Sequence, residues 1–505
     1  MTAGPPSVKP EFDEFRRLAR EYSVIPVWRE VFGDIFTPIV AFDKLASGTG
    51  SVLLESADSQ ERWGRFSFIG AEAFGCLIVR GETVAWEGSH RPIVDLPSKN
   101  EAPGGVRPLL ERIVERLRAP HLPGMPPLFA GAIGFIGHDA LDSQAAENAS
   151  SAGDHVDAIL TFPRVILVFD HFRHTIRLIV NVLVEPGSDL HAAYEQGVSH
   201  VDELASSLAS TPSRLRAMAI PDRFATEELE ADLSADEFAA NLEQGLGRVS
   251  AGDVRQVGLS RRFWRRTDAD PLTVYRMLRT LNPSPYMYLM RLPGMVIVGS
   301  SPQVLVRVRD GQVTTCPIGG TFRRTGDPMA DEALARRLLV DAKGQAEHQM
   351  LVELGVADLA HVCREGSIEL TRGTEVIHYS RVMHLATEIV GELAPGRSPL
   401  DALAASFPAG TVCGTPRPRA MEIARSLEPR QRTVYGGAVG YVDFSGNLDT
   451  CIAIRTIVFR DGVAYCQAGA SIVEDSVIKE EVHEAQAKAQ GLADAIAAAE
   501  RAAYV

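Results

Sequence analysis

The chain has 505 residues, 45% of them hydrophobic and 23% charged, which is too long for one small domain and too apolar for a disordered chain. Its 65 acidic residues against 51 basic ones give a net charge of −14. That balance disfavours nucleic acid and anionic membrane as main partners, because both recruit protein through positive charge.

Six cysteines (Cys76, Cys316, Cys363, Cys413, Cys451, Cys466) never fall in C-x-x-C spacing, so neither a disulfide framework nor a zinc site is indicated. The N-terminus mixes acidic with basic residues and has no apolar signal core, and no segment approaches 18 uninterrupted apolar residues. A cytoplasmic protein with no membrane contact is expected.

In chain order, SVLLES (51–56), FGCLIVR (74–80) and TVAWEG (83–88) read as strands of an antiparallel sheet, followed by a pair at RVILVF (164–169) and TIRLIVNVLV (175–184). Ser/Pro punctuation and an acidic run place a linker at 206–232 between an N-terminal lobe, 1–205, and a second domain, 233–505. Ser234 and Asp236 offer N-cap chemistry for the next helix. Strands follow at 254–263, 286–292, 295–300, 304–309 and 312–318, then helical patterns at 329–362 and 398–406, a Gly-rich strand region at 435–473 and a final helix at 477–500. The fold class is α+β, a two-lobed sandwich of large, mostly antiparallel sheets flanked by helices.

In the final helix, Glu481, Glu484 and Lys488 stand at i, i+3 and i+7 and share a face. Periodicity alone favours a solvated stripe; the sharper reading is a pair of carboxylates reaching a shared Mg²⁺, a hard cation that takes oxygen ligands. Glu347 is a further acid, on the earlier helix, that could face Glu484 across such an ion. Glycine clusters at 317–321, 409–411, 435–440 and 467–471 fit tight turns as well as backbone cradles for a carboxylate, and none matches a P-loop or dinucleotide fingerprint. Arg455 interrupts the apolar run CIAIRTIVF; beside Tyr435 it could grip a carboxylate in bidentate fashion, while an isolated arginine in a strand often points to solvent. His384, among apolar neighbours, is a core histidine or a general acid or base.

Taken in order, LLESAD (53–58), RWGRFSFIG (62–70), NPSPYMY (282–288), VGSSP (298–302), AEHQMLVEL (346–354), YSRVMHL (379–385), FPAGTVCG (407–414), VYGGAVGYVDFSGNLDTCIAIRT (434–456) and EVHEAQAKA (481–489) resemble anthranilate synthase component I, within the wider family of chorismate-utilising enzymes. The resemblance implies chorismate bound on Mg²⁺, attack by ammonia at C2 as the C4 hydroxyl departs, and loss of pyruvate. It implies Glu347 and Glu484 as metal-facing acids with Glu481 beside them, and Arg455, Tyr435 and the Gly469 N–H as the grip on the enolpyruvyl carboxylate. His384 and Thr411 line the ring site, His384 being the group for pyruvate elimination. Lys488, Gly320, Thr321 and Ser471 also fall at site positions.

Water-adding relatives resemble one another in having a lysine base where this chain has Gln256, so the resemblance favours ammonia as nucleophile. No glutaminase nucleophile segment is recognisable, which implies a glutamine amidotransferase subunit and a hetero-oligomer. LLES and NPSPYMY resemble a tryptophan feedback pocket, with Glu55, Ser56, Pro285, Tyr286 and Met287 as effector contacts; packing between lobes is the other reading of each.

Several positions depart from the family pattern. Gln303 stands where the family has the glutamate that protonates the leaving oxygen, Gly344 replaces an acid one turn before Glu347, Phe322 replaces an arginine and Ser471 a glycine. RNDL has become VADL at 356–359, and a lysine has become Arg417. Three readings follow: an anthranilate synthase, a 2-amino-2-deoxyisochorismate synthase that stops before pyruvate loss, and a catalytically weak homologue kept as a binding or regulatory subunit.

Overall fold

The computed structural model describes residues 7–57, 64–89, 105–141, 155–219, 229–371, 373–378 and 382–502. Parts of three family-like segments, residues 58, 62–63 and 379–381, and residues 220–228 of the expected linker lie outside the described residues.

Every strand pairing of the two sheets is antiparallel. Two long strands, Phe66–Arg80 and Ala158–Asp170, pair along their length and carry the sheet in two directions. From Phe66–Arg80 the ladder passes through Val52–Glu55, Tyr286–Leu292, Met295–Ser301, Thr456–Arg460 and Val463–Ile472 to Gln256–Arg266. From Ala158–Asp170 it passes through Gly131–Ile136, Ala438–Asp443, Leu448–Ile452 and Val304–Arg309 to Gln312–Thr315. The long pair slips register between Gly70 and Gly75, and a bend there suits a strand that must serve both directions.

Alternation explains why these sequences read as strands yet look apolar throughout. Val52, Phe68, Tyr288 and Ile297 enter a core shared with Ile133, Val439 and Cys451 of the other branch, while their neighbours Leu53, Ile69, Leu289 and Val298 enter a second core under helices. Both faces are therefore buried. The covering helices are Phe12–Leu18, Pro38–Leu45, Leu190–Ser210, Pro271–Leu281 and Ile478–Glu500.

Two local expectations need correction. The helical pattern at 329–362 is two helices, Pro328–Leu338 and Ala342–Ala360, because Asp341 leaves the helix to accept a hydrogen bond from Gly344 N–H at 2.8 Å. The run CIAIRTIVF is two strands, Leu448–Ile452 and Thr456–Arg460, with Arg455 between them at φ +52°. Helix Leu190–Ser210 also takes in the first residues of the 206–232 segment. The helix after Ser234 forms with a capping box between Ser234 and Glu237.

A small sheet of Ile318–Arg323, Val382–Ala386 and Glu375–His378 stands apart and carries His384. It lies directly on helix Ala342–Ala360: a Cβ at Gly319 would come within 2.9 Å of Leu351 Cδ1, and one at Gly320 within 3.2 Å of Gly344 Cα. Gly320, at φ +61°, makes the bulge that this approach requires. The departure at Gly344 thus has a steric counterpart in the fold.

Candidate active site

Two helices and two strands place the acids. The C-terminal helix, Ile478–Glu500, buries Ala485, Ala489 and Leu492 and packs across strand Val463–Ile472. Along one side of that buried stripe stand Glu481, Glu484 and Lys488. Lys488 Nζ lies 2.7 Å from Glu484 Oε1, the i,i+4 pair, and donates to Gly469 O at 3.1 Å. Gly469 lies past Cys466, the last residue of its strand paired to Thr456–Arg460, and its carbonyl turns to that open edge. Its N–H points the same way, since N–H and C=O of one strand residue share a side.

Glu347 faces this helix from Ala342–Ala360. Burial raises its pKa and the Glu484 carboxylate raises it further, while a hydrogen bond from Gly320 N–H and the Lys343 and Lys488 cations oppose the rise. Glu481 behaves alike: burial and then Glu484 raise it, against a hydrogen bond from Ser476 Oγ at 3.0 Å. Burial also works against the charge of Glu484, but Lys488, Arg455 and His384 outweigh it and hold that carboxyl below its usual range. Glu484 leaves 51% of its side chain exposed, so its pair with Lys488 is solvent-screened and weak in stability terms.

The other predicted residues gather here. His384 Nδ1 lies 2.9 Å from Thr321 Oγ1 and 3.3 Å from Gly320 O; burial, then Arg455, lowers its pKa to about 4, so it is neutral at pH 7. Arg455 acts electrostatically on Glu484, His384 and Tyr435. A non-glycine residue at positive φ costs on the order of 1–3 kcal/mol, the kind of strain that accumulates at functional sites. Burial raises Tyr435 to about 12, so the phenol keeps its proton.

Ser471 Oγ donates to Thr411 O at 3.0 Å, which ties strand Val463–Ile472 to the short helix Gly410–Cys413. Thr411 Oγ1 and Gln256 Oε1 are buried without a hydrogen-bond partner, an unsatisfied state that suits a surface made for a polar ligand. Gln303 is 9% exposed, its carbonyl accepting from Ile452 N–H at 3.1 Å, next to the segment where Ser300 N–H donates to Arg455 O at 3.1 Å.

Oxygen donors from two helices fit the requirement of a hard divalent cation, and the rise that Glu484 causes in Glu347 and Glu481 is a repulsion that such a cation would relieve. Among the described residues no three acidic, histidine or cysteine side chains already close on one point. Two open cavities lie elsewhere. One of about 390 Å³ is lined by residues including Arg107, Asp358, Arg397 and Arg417, the other of about 410 Å³ by Thr37, Met218, Arg276 and Arg279 among others.

The five residues compared with an effector pocket do not share one face. Glu55 pairs with Met287 across neighbouring strands; its carboxylate accepts from Tyr275 OH at 2.6 Å and lies 3.5 Å from Arg279. Burial raises the Glu55 pKa against those two partners. Pro285 is half-buried, and Ala57 N–H beside Ser56 donates to Ser284 O at 3.0 Å. Tyr286 turns to the other core, donating to Asp449 Oδ1 at 2.8 Å, because adjacent strand residues face opposite ways.

Sequence reasoning missed Arg432, His138 and Glu428, a buried polar group behind Tyr435. Six free cysteines are buried, and burial raises the Cys413 thiol to about 11, which removes it as a nucleophile. No helix among the described residues is long and apolar enough to cross a membrane.

Comparison with known proteins fits this arrangement. A family model described as chorismate binding enzyme matches residues 87–494. Anthranilate synthase component 1 of Mycolicibacterium smegmatis is 41% identical over 96% of this chain and 93% of its own length, and that of Acetivibrio thermocellus 37% identical over 96% and 98%. The crystal structure of anthranilate synthase component I from Streptococcus pneumoniae superposes with a TM-score of 0.73 at 30% identity, covering 92% of this chain and 99% of the other. The menaquinone-specific isochorismate synthase of Escherichia coli, at 18% identity and a TM-score of 0.69, shares the fold. A match over most of the chain, on the sheet and helices that gather Glu347, Glu484, His384 and Arg455, makes this protein a member of the chorismate-binding enzyme family, of the anthranilate synthase component I type.

Proposed function

We propose that the chain converts chorismate and ammonia to anthranilate, pyruvate and water in the presence of Mg²⁺. The observation that carries this reading is the electrostatic convergence of Glu347, Glu481 and Glu484 with Lys488, His384 and Arg455 from separate elements. Glu347, Glu484 and Glu481 would hold the ion, which supplies positive charge for the ring carboxylate and for negative charge that develops on the substrate.

Arg455 and the protonated phenol of Tyr435 grip the enolpyruvyl carboxylate, aided by Gly469 N–H. Thr411 Oγ1 and Gln256 Oε1 give up their unsatisfied state on contact with the polar edges of substrate and nucleophile. Ammonia attacks C2 with its own lone pair, so a neutral Gln256 suffices beside it. Neutral His384 then takes the C2 proton as the ring C–O bond to the enolpyruvyl group breaks, and the enolpyruvate released takes up a proton at its methylene carbon to become pyruvate. Gln303 donates a hydrogen bond to the C4 oxygen but carries no proton to give, so the group departs as hydroxide, takes the proton that the new C2 ammonium sheds to become water, and the first step is slow.

A separate glutamine amidotransferase subunit supplies the ammonia, and the "component 1" names of the relatives support a partner of some kind. Tryptophan binding near Glu55 and Met287 belongs to the same reading, as does a cytoplasmic setting.

Product analysis tests it. Purified protein is incubated with chorismate, Mg²⁺ and excess ammonium salt, and the mixture is followed by fluorescence and mass spectrometry. Anthranilate with equimolar pyruvate is expected. An amino adduct that keeps its enolpyruvyl group would replace this reading by a 2-amino-2-deoxyisochorismate synthase, which the amide at Gln303 makes the second choice. Unchanged chorismate would leave a binding subunit.

A further inference from the structure

We propose that Arg432 is a positioning residue that sets the places of Tyr435 and Thr411 from behind the site. This inference rests on the reading of those two residues as substrate contacts.

The Arg432 side chain is 3% exposed, and its guanidinium is divided among four separate segments. Nε donates to both carboxylate oxygens of Glu428, at 3.1 and 2.9 Å, at the end of helix Arg417–Leu427. Nη2 donates to Gly258 O at 2.7 Å, in the strand that begins with Gln256 and pairs Gly258 with Ser471. Nη1 donates to Val412 O at 3.2 Å, one residue from Thr411, and lies 3.4 Å from His138 Nε2. The guanidinium carbon stands 5.7 Å from the centre of the Tyr435 ring.

His138 closes the circuit. With Arg432 donating to Nε2, the imidazole proton sits on Nδ1 and is given to Gly436 O at 3.1 Å, next to Tyr435. There is no slack in this corner: a Cβ on Gly436 would meet both His138 Nδ1 and Val412 Cγ1 at 2.9 Å. Glu428 is fixed in turn by Ser260 N–H at 2.8 Å and Ser260 Oγ at 2.9 Å, and Ser260 Oγ accepts from Gln467 at 2.8 Å.

A planar fork with five donors can hold Glu428, Gly258 O and Val412 O together; an ammonium cannot reach all three. Arg432 touches none of the groups read as holding the ion, and its charge is already matched by Glu428. Its effect on the reaction runs through backbone carbonyls and the ring of Tyr435. Buried polar networks of this kind fix one arrangement when every member is satisfied.

Arg432→Lys is the first test, with His138→Leu and His138→Gln as companions that leave the Arg432–Glu428 pair intact. In Arg432→Lys and His138→Leu, amide hydrogen exchange at 409–415 and 433–437 should accelerate at least tenfold while the core strand 158–170 keeps its protection. In the same two proteins kcat/KM for chorismate should fall at least tenfold. His138→Gln, whose amide can accept from Arg432 and donate to Gly436, should restore both readouts to within about threefold of wild type. Should Arg432→Lys fail to fold, the two His138 variants decide. Unchanged exchange at 409–415 and 433–437 in a folded Arg432→Lys or in His138→Leu overturns the proposal, as does failure of His138→Gln to differ from His138→Leu. If wild type itself does not turn over chorismate, the functional reading fails, and the exchange data still decide the positioning role.

Discussion

Two glutamates, Glu55 buried and Glu347 half-buried, sit in opposite circumstances. Glu55 has a phenol and a guanidinium for its own, so its carboxylate is partnered within the fold. Glu347 instead faces another carboxylate, Glu484, with one backbone N–H and distant lysines as its counterweights. Nearby, Thr411 Oγ1 and Gln256 Oε1 also lack partners. The fold completes the first glutamate and leaves the second incomplete, and incompleteness of that kind is what a ligand or cation removes. An effector entering at Glu55 would have to compete with Tyr275 and Arg279, whereas a cation at Glu347 and Glu484 would relieve a repulsion already present.

The contrast is broken most forcefully by removing the charge that Glu347 feels. Glu484→Gln should cut turnover of chorismate by at least about 100-fold, because several kcal/mol of charge stabilisation disappear with the third acid, while the melting temperature holds or rises. Turnover within threefold of wild type, in steady-state assays with Mg²⁺ and ammonium, would mean that the acid has no part in the reaction. A smaller gain is expected at the other end of the substrate: Gln303→Glu should raise kcat about tenfold by restoring a proton donor for the C4 oxygen. No gain would argue that Gln303 suits a different leaving group.

Stability offers the next comparison. His138 is held to about 4 by burial and by Arg432, with Asp139 opposing and Arg425 assisting. An unfolded histidine titrates near 6.5, so between those values the unfolded chain binds the proton that the folded one refuses. Stability is therefore full above about pH 6.5 and falls as pH drops toward about 4, by a few kcal/mol. Thermal unfolding at pH 7.5 and pH 5 should show that loss, and His138→Gln should remove part of it. The smallest effect belongs to the completed glutamate: Tyr275→Phe deletes one buried hydrogen bond and should cost about 1–2 kcal/mol, seen as a lower melting temperature with kcat unchanged.

What could be read in the chain follows the same divide. The spacing of Glu481, Glu484 and Lys488 places them on one helical face whatever surrounds them, and the strands Tyr286–Leu292 and Met295–Ser301 stand where their apolar runs predict. The apolar run CIAIRTIVF predicts one strand through Arg455; its break comes from Ser300 and Gly436 bonding to Arg455 O and Ala453 O, partners distant in sequence. The resemblance of NPSPYMY to an effector segment names Tyr286 and Met287 together, and strand geometry sends their side chains to opposite cores. Arg432 lies in EPRQRTVYGG two residues from Arg430 and carries no local signal; its role exists only where Gly258, Val412 and His138 converge on it.

Calorimetric titration of chorismate into the protein, with Mg²⁺ and with the metal chelated, tests most directly whether two opposed helices make one cation site. The account predicts chorismate affinity at least tenfold higher with Mg²⁺, and loss of that difference in the Glu347→Gln, Glu484→Gln double variant. Equal affinity with and without the metal in wild type, or a metal effect that survives in the double variant, would contradict it.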